Sequence, residues 1–143
     1  MSEQESEGSK RVGSSADFGL TQRGQRLQEG RTDLATRIQV CRDLTYLGRT
    51  QTSLFHDCVA ILHSALRKSL VNPPELNSHL IEALIHLGAI EAVPAIARAF
   101  STRRVDPSIT GSWPLVQAKL GLIPYTAVRS MPSEPMRSNC QKQ

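Results

Sequence analysis

Aromatic residues make up only 4% of the 143-residue chain: one Trp, two Tyr and three Phe. So few rings leave little to form the stacking platform that single-stranded nucleic acid needs beside a basic groove. Cysteine is also sparse. Cys41, Cys58 and Cys140 are an odd number at wide spacing, with no CxxC, which argues against a disulfide framework or zinc ribbon and for a reducing compartment. No uncharged apolar run approaches the ~18 residues of a membrane span. Alternating β-branched residues are missing, so there is no strand signal. The opening Met1-Ser2-Glu3-Gln4-Glu5-Ser6-Glu7 has no apolar stretch behind it, and the expectation is a cytoplasmic protein without a secretory signal. The final Cys140-Gln141-Lys142-Gln143 lacks the aliphatic pair that prenylation reads.

The apolar residues that are present are concentrated. Residues 1–33 contain 6 of them, residues 54–100 contain 27, and residues 124–143 contain 6. This divides the chain into an unordered segment, 1–31, a folded helical domain, 32–123, and a flexible tail, 124–143. The net charge of +4 is not gathered on the folded part, because residues 54–100 sum to −1. A basic protein whose excess charge lies in connectors and tail is weakly suited to nucleic acid.

Within the folded part the apolar spacing is helical. Leu34, Ile38, Cys41, Leu44 and Leu47 predict a helix over 32–47, started by Thr32 or Asp33 and ended by Gly48. Ser53 is placed to cap a second helix over 54–70, with Phe55, Cys58, Val59, Leu62, Ala65, Leu66 and Leu70 on one stripe. Asn72-Pro73-Pro74 stops it. A third helix runs over 74–87, where Leu76, Leu80, Leu84 and Leu87 align and Ile81 and Ile85 widen the apolar face. Gly88 ends that helix, and a turn of two or three residues forces the next back antiparallel. In this fourth helix Ala92, Val93, Ile96, Ala99 and Phe100 share a face, and Pro94 falls in the first turn, where its missing donor costs little. Residues 103–111 read as a loop turned by Asp106-Pro107 and closed by Gly111. A fifth helix, 113–120, is capped by Ser112, carries Trp113 inward and stops at Gly121. The fold class is all-α.

The stretch Glu75-Leu76-Asn77-Ser78-His79-Leu80-Ile81-Glu82-Ala83-Leu84-Ile85-His86-Leu87-Gly88-Ala89-Ile90-Glu91-Ala92-Val93-Pro94-Ala95-Ile96 resembles a HEAT-like repeat. It has an amphipathic helix, a Gly-Ala turn and a Glu-Ala-Val-Pro helix start. The extension through Ala99-Phe100, Val105-Asp106 and Gly111-Ser112-Trp113 to Leu120-Gly121 is similar to bacterial HEAT-like proteins, with Ser112 where that pattern has an acidic residue. The resemblance covers about 47 residues, 75–121. It implies a short right-handed solenoid fragment of about five helices, a platform for protein–protein contact or self-association. It carries over no catalytic, cofactor-binding or metal-binding residues. The positions it marks are structural: Gly88, Pro94, Phe100, Asp106, Gly111, Trp113 and Gly121.

The other residues that carry chemistry also have plain packing roles open to them. His56/His63 and His79/His86 are each seven residues apart, about 10.5 Å along a helix, too far to share one metal ion. His79, Glu82 and His86 lie together opposite Leu80 and Leu84, so Glu82 can reach either His, as on an ordinary solvated face. Cys58 sits on an apolar stripe and reads as core. Residues 77–100 fit a helix-turn-helix in outline, but Glu91, Pro94 and Arg98 are poor base readers. The alternative function, association with nucleic acid, uses the basic tail with Arg103 and Arg104, although Arg103-Arg104 also suits a helix C-terminus. No general acid, base and nucleophile assemble into an enzyme site. The expected role is a non-enzymatic interaction module.

Overall fold

The computed structural model describes residues 15–28 and 32–130, with no strand among the described residues. The helices are α1 (Ser15–Gln28), α2 (Leu34–Thr50), α3 (Phe55–Leu66), α4 (Pro74–Leu87), α5 (Val93–Ser101), the single turn α6 (Pro107–Thr110) and α7 (Trp113–Lys119). Tight 3₁₀ turns, Thr52–Leu54 and Ile90–Ala92, lead into α3 and α5.

The helix starts and stops follow local chemistry. Asp33 caps α2, its carboxylate accepting from the Thr36 amide at 3.1 Å and the Thr36 hydroxyl at 2.7 Å. Pro74 opens α4, where its missing N–H leaves no helical bond unmade. Gly88 closes α4 at φ 65°, a left-handed turn that spares it the steric cost of a β-carbon. Its neighbour Ala89 donates back to the Leu84 carbonyl at 3.0 Å. Asp106 caps α6 through the Ser108 amide at 3.0 Å, and Ser112 caps α7 through the Leu115 amide at 3.4 Å.

α2 packs on α4, and α4 on α6; α1 packs on α3, and α3 on α5. The pairs α1–α2, α2–α3 and α3–α4 join these two rows. One core runs through them, including Leu27, Leu44, Leu62, Leu66, Leu80, Leu84 and Ile96, all fully buried. Each such side chain contributes roughly 1.5–3 kcal/mol. Phe100 and Trp113 close one end, their ring centroids 5.5 Å apart.

Several expectations are corrected. The unordered segment over 1–31 gives way to α1 over Ser15–Gln28, whose Leu20 and Leu27 enter the core; residues 1–14 and 29–31 lie outside the described residues. Two leucines seven apart, with Gly19 and Gly24 between or beside them, gave too thin a period to see. Burial against α2 and α3 supplies what local pattern did not. Gly48 does not end α2, which continues to Thr50 with Gly48 buried inside it. The second helix begins after a 3₁₀ turn with no Ser53 side-chain cap and ends at Leu66, leaving Leu70 exposed. The loop 103–111 contains α6, and the start of the tail holds a 3₁₀ segment, Tyr125–Ser130. The rest of the expected tail, 131–143, lies outside the described residues.

A buried polar network fixes the connection between α3 and α4. Asn72 donates to the Ala65 carbonyl at 2.9 Å and to Asn77 Oδ1 at 3.0 Å. Asn77, fully buried, donates to the carbonyls of Ser69 and Arg104, both at 2.9 Å. Arg37 donates to the Leu27 carbonyl at 2.9 Å and to Asn72 Oδ1 at 3.5 Å, tying α1 and α2 to the same loop. Where α3 stops, four residues early, the Ala65 carbonyl accepts both from Asn72 and from the Lys68 amide at 3.1 Å.

Candidate functional site

The relation between α2 and α4 builds a site. Near their starts, Arg37 on α2 reaches Asn72, just ahead of α4. Near their ends, Gly48 packs against Leu87. Two tie points in the same chain order make the helices parallel, with residues of α2 facing residues about 35–39 positions later. Their outward side chains therefore line up as rungs: Arg42 with His79, Thr45 with Glu82, Arg49 with His86.

These rungs line an open cleft of about 360 Å³, completed by Cys41, Ala83 and, from α6, Ile109. A second open pocket that shares Arg42, Thr45 and Arg49 continues past Tyr46 and Thr50. Arg42, Arg49 and Tyr46 are exposed, whereas Ala83 and Cys41 form a buried floor.

Glu82 is the acid of the cleft. Its Oε1 lies 3.7 Å from His86 Nε2, so of the two histidines expected within reach, His86 is the one it pairs with. Its Oε2 lies 3.5 Å from Lys119 Nζ. That oxygen is buried and has no hydrogen-bond partner among the described residues, so the Lys119 charge is what compensates it. Lys119 also donates to the Thr110 carbonyl at 3.2 Å, which holds the ammonium beside Glu82. Sequence reading missed Lys119 because it comes from α7, 37 positions along the chain, with no periodic relation to α4. The Thr45 hydroxyl is spent inside α2, donating to the Cys41 carbonyl at 2.8 Å.

Burial pushes the Cys41 thiol up to about 12 and the Cys58 thiol up to about 11, so both are neutral thiols near pH 7. Cys58 lies fully within the core, as its place on the apolar stripe suggested. His56 is exposed, edge-on to the Phe55 ring at 5.3 Å, and His63 lines a second basic cleft with Arg67 and Arg98 between α3 and α5. Among the described residues no group of three or more His, Cys, Asp or Glu is arranged to hold a metal. No described helix is long and apolar enough to cross a membrane.

The residues that the resemblance marks lie in α4 to α7 and in the turns beside them. Gly88 turns α4, Pro94 opens α5, and Phe100 meets Trp113. The Asp106 amide donates to Ser78 Oγ at 2.7 Å, fastening α6 to α4. Gly111 and Gly121 take positive φ, 86° and 81°. Arg103 is exposed with φ 59°, while Arg104 turns inward and donates to the carbonyls of Asn72 at 2.6 Å and Ser69 at 3.3 Å. Those donors are committed within the fold.

No family model, curated protein or solved structure matches the chain.

Proposed function

We propose that this protein is a non-enzymatic helical-repeat module of the HEAT-like kind, working in the cytoplasm, that contacts another protein or a second copy of itself. The observation that carries the reading is the parallel, in-register pairing of α2 and α4, which leaves an open cleft lined from three helices. In a repeat array, equivalent helices of successive units pack side by side, and binding uses the continuous surface they make. The order α2, α4, α6 in one row and α1, α3, α5 in the other supports such an array, its rows joined through α1–α2, α2–α3 and α3–α4. Trp113 and α7 then cover the end of the core.

A photoreactive benzoylphenylalanine at Thr45 in the cleft, compared with one at Ala60 on the exposed side of α3, tests this in cells. Discrete protein adducts from position 45 alone support an interaction module using the cleft. No adduct at 45 from folded protein, or the same adducts from both positions, overturns it.

A further inference from the structure

We infer that the α2–α4 cleft receives an acidic peptide segment of a partner protein, with carboxylates about 10 Å apart; this deepens the interaction-module reading and rests on it. The argument begins from charge. Among the described residues Arg42 and Arg49 make no ion pair or hydrogen bond through their guanidinium groups, although both line the cleft. Glu82, the cleft's carboxylate, is answered by His86 and Lys119 from within the protein. The positive charge left for a ligand is that of the two arginines.

Spacing and floor then narrow the ligand. Seven residues of helix put Arg42 and Arg49 about 10.5 Å apart along the axis. A single phosphate would engage both only with the two side chains converging over Glu82, whose carboxylate repels a concentrated dianion. Separate carboxylates on one extended segment fit: in a polyproline II peptide every third side chain returns to the same side after about 9 Å. Each guanidinium offers the planar fork that matches a carboxylate. Ala83, Cys41 and Ile109 give the peptide's intervening residues an apolar bed, and the exposed Tyr46 extends it. An acidic peptide is thus favoured over nucleic acid, whose closely spaced phosphates want a denser basic track and stacking rings.

Fluorescence anisotropy of the full chain with a fluorescein-labelled Glu-Pro-Pro repeat peptide tests the proposal, with the Gln-Pro-Pro repeat as control. The expected result is binding of the Glu peptide only, weakened by salt, and weakened about three- to tenfold by Arg42→Ala with Arg49→Ala at unchanged melting temperature. Arg67→Ala with Arg98→Ala, in the other basic cleft, leaves binding as it was. Equal loss from both pairs means attraction to net charge alone and overturns the proposal. So does no binding of the Glu peptide, stronger competition by inorganic phosphate or single-stranded RNA than by peptide, or light scattering that shows the cleft closed by a second copy. If cross-linking at position 45 succeeds while the acidic peptide fails, the interaction module stands and the acidic partner falls.

Discussion

Gly48 and Leu87 meet where α2 and α4 end: a β-carbon on Gly48 would lie 2.9 Å from Leu87 Cδ2 and 3.3 Å from Cys58 Cβ. The missing side chain sets how closely the two helices approach, and so how their outer faces register as rungs across the cleft.

Replacing glycine by alanine therefore has opposite signs at two helical positions. Inside an exposed helix the change gains about 0.5–1 kcal/mol. Gly24, whose added β-carbon would meet Ile61 at an ordinary 3.4 Å, follows that rule, and Gly24→Ala raises the melting temperature. Gly48→Ala instead overpacks the α2–α3–α4 junction and costs roughly 1–3 kcal/mol. Chemical denaturation of the two variants reads both signs, and stabilisation by Gly48→Ala would refute the close-approach account.

Asn77 is the centre of the network under the α3–α4 loop. Asn77→Ala strands the Arg104 carbonyl and loosens the ties of Ser69 and Asn72, costing about 2–3 kcal/mol. Asn77→Asp is worse at neutral pH, since it sets a carboxylate against two carbonyl oxygens. Urea melts of the two variants at pH 7 rank them, and a neutral effect of Asn77→Ala would show the network to be dispensable.

Acid sensitivity should come partly from the helix caps. Hydrogen bonds from the Thr36 hydroxyl and then its amide hold the Asp33 carboxyl below its usual 3.8, and the Ser108 hydroxyl and amide do the same for Asp106. A lowered folded value means the ionised cap stabilises fully above the ordinary value, and the contribution is lost as pH falls through the lowered one. Asp33→Asn keeps a capping oxygen without the titration. Its melting temperature should change less than the wild type's on acidification, and parallel curves for the two would remove Asp33 as a source.

Thiol chemistry should report opening of the core. With Cys140→Ser, Cys41 and Cys58 are the remaining thiols, both buried and raised to about 12 and about 11 by that burial. Disulfide-exchange reagent at pH 8 should label the folded protein slowly and release both thiols at once in denaturant. Immediate labelling under native conditions would place one of them at the surface.

Much of the architecture was legible in residue order. The all-helical class followed from apolar spacing over 34–100. The extent of α4 followed from Pro74 and Gly88, two residues whose backbone limits act locally. Ser112 and Trp113 were readable for the same reason, since a cap or a buried ring is announced by its own type, whereas Asp106, read as the turn of a loop, caps α6. α1 was not legible, because Leu20 and Leu27 become helical core only when α2 and α3 are there to bury them. Nor was the end of α3, where the Ala65 carbonyl accepts from the Lys68 amide and from Asn72, seven residues on.

The cleft divides the same way. Sequence placed His79, Glu82 and His86 on one face of α4, because a helix repeats its faces every few residues wherever it sits. It left Arg42 and Arg49 unremarked on α2. The packing of Gly48 on Leu87, with the bond from Arg37 to Asn72, sets those arginines opposite the histidines, and only the fold of α6 and α7 brings Lys119 to Glu82. Local sequence determined each helix and its faces; which faces meet depended on close approach and buried hydrogen bonds between residues far apart in the chain.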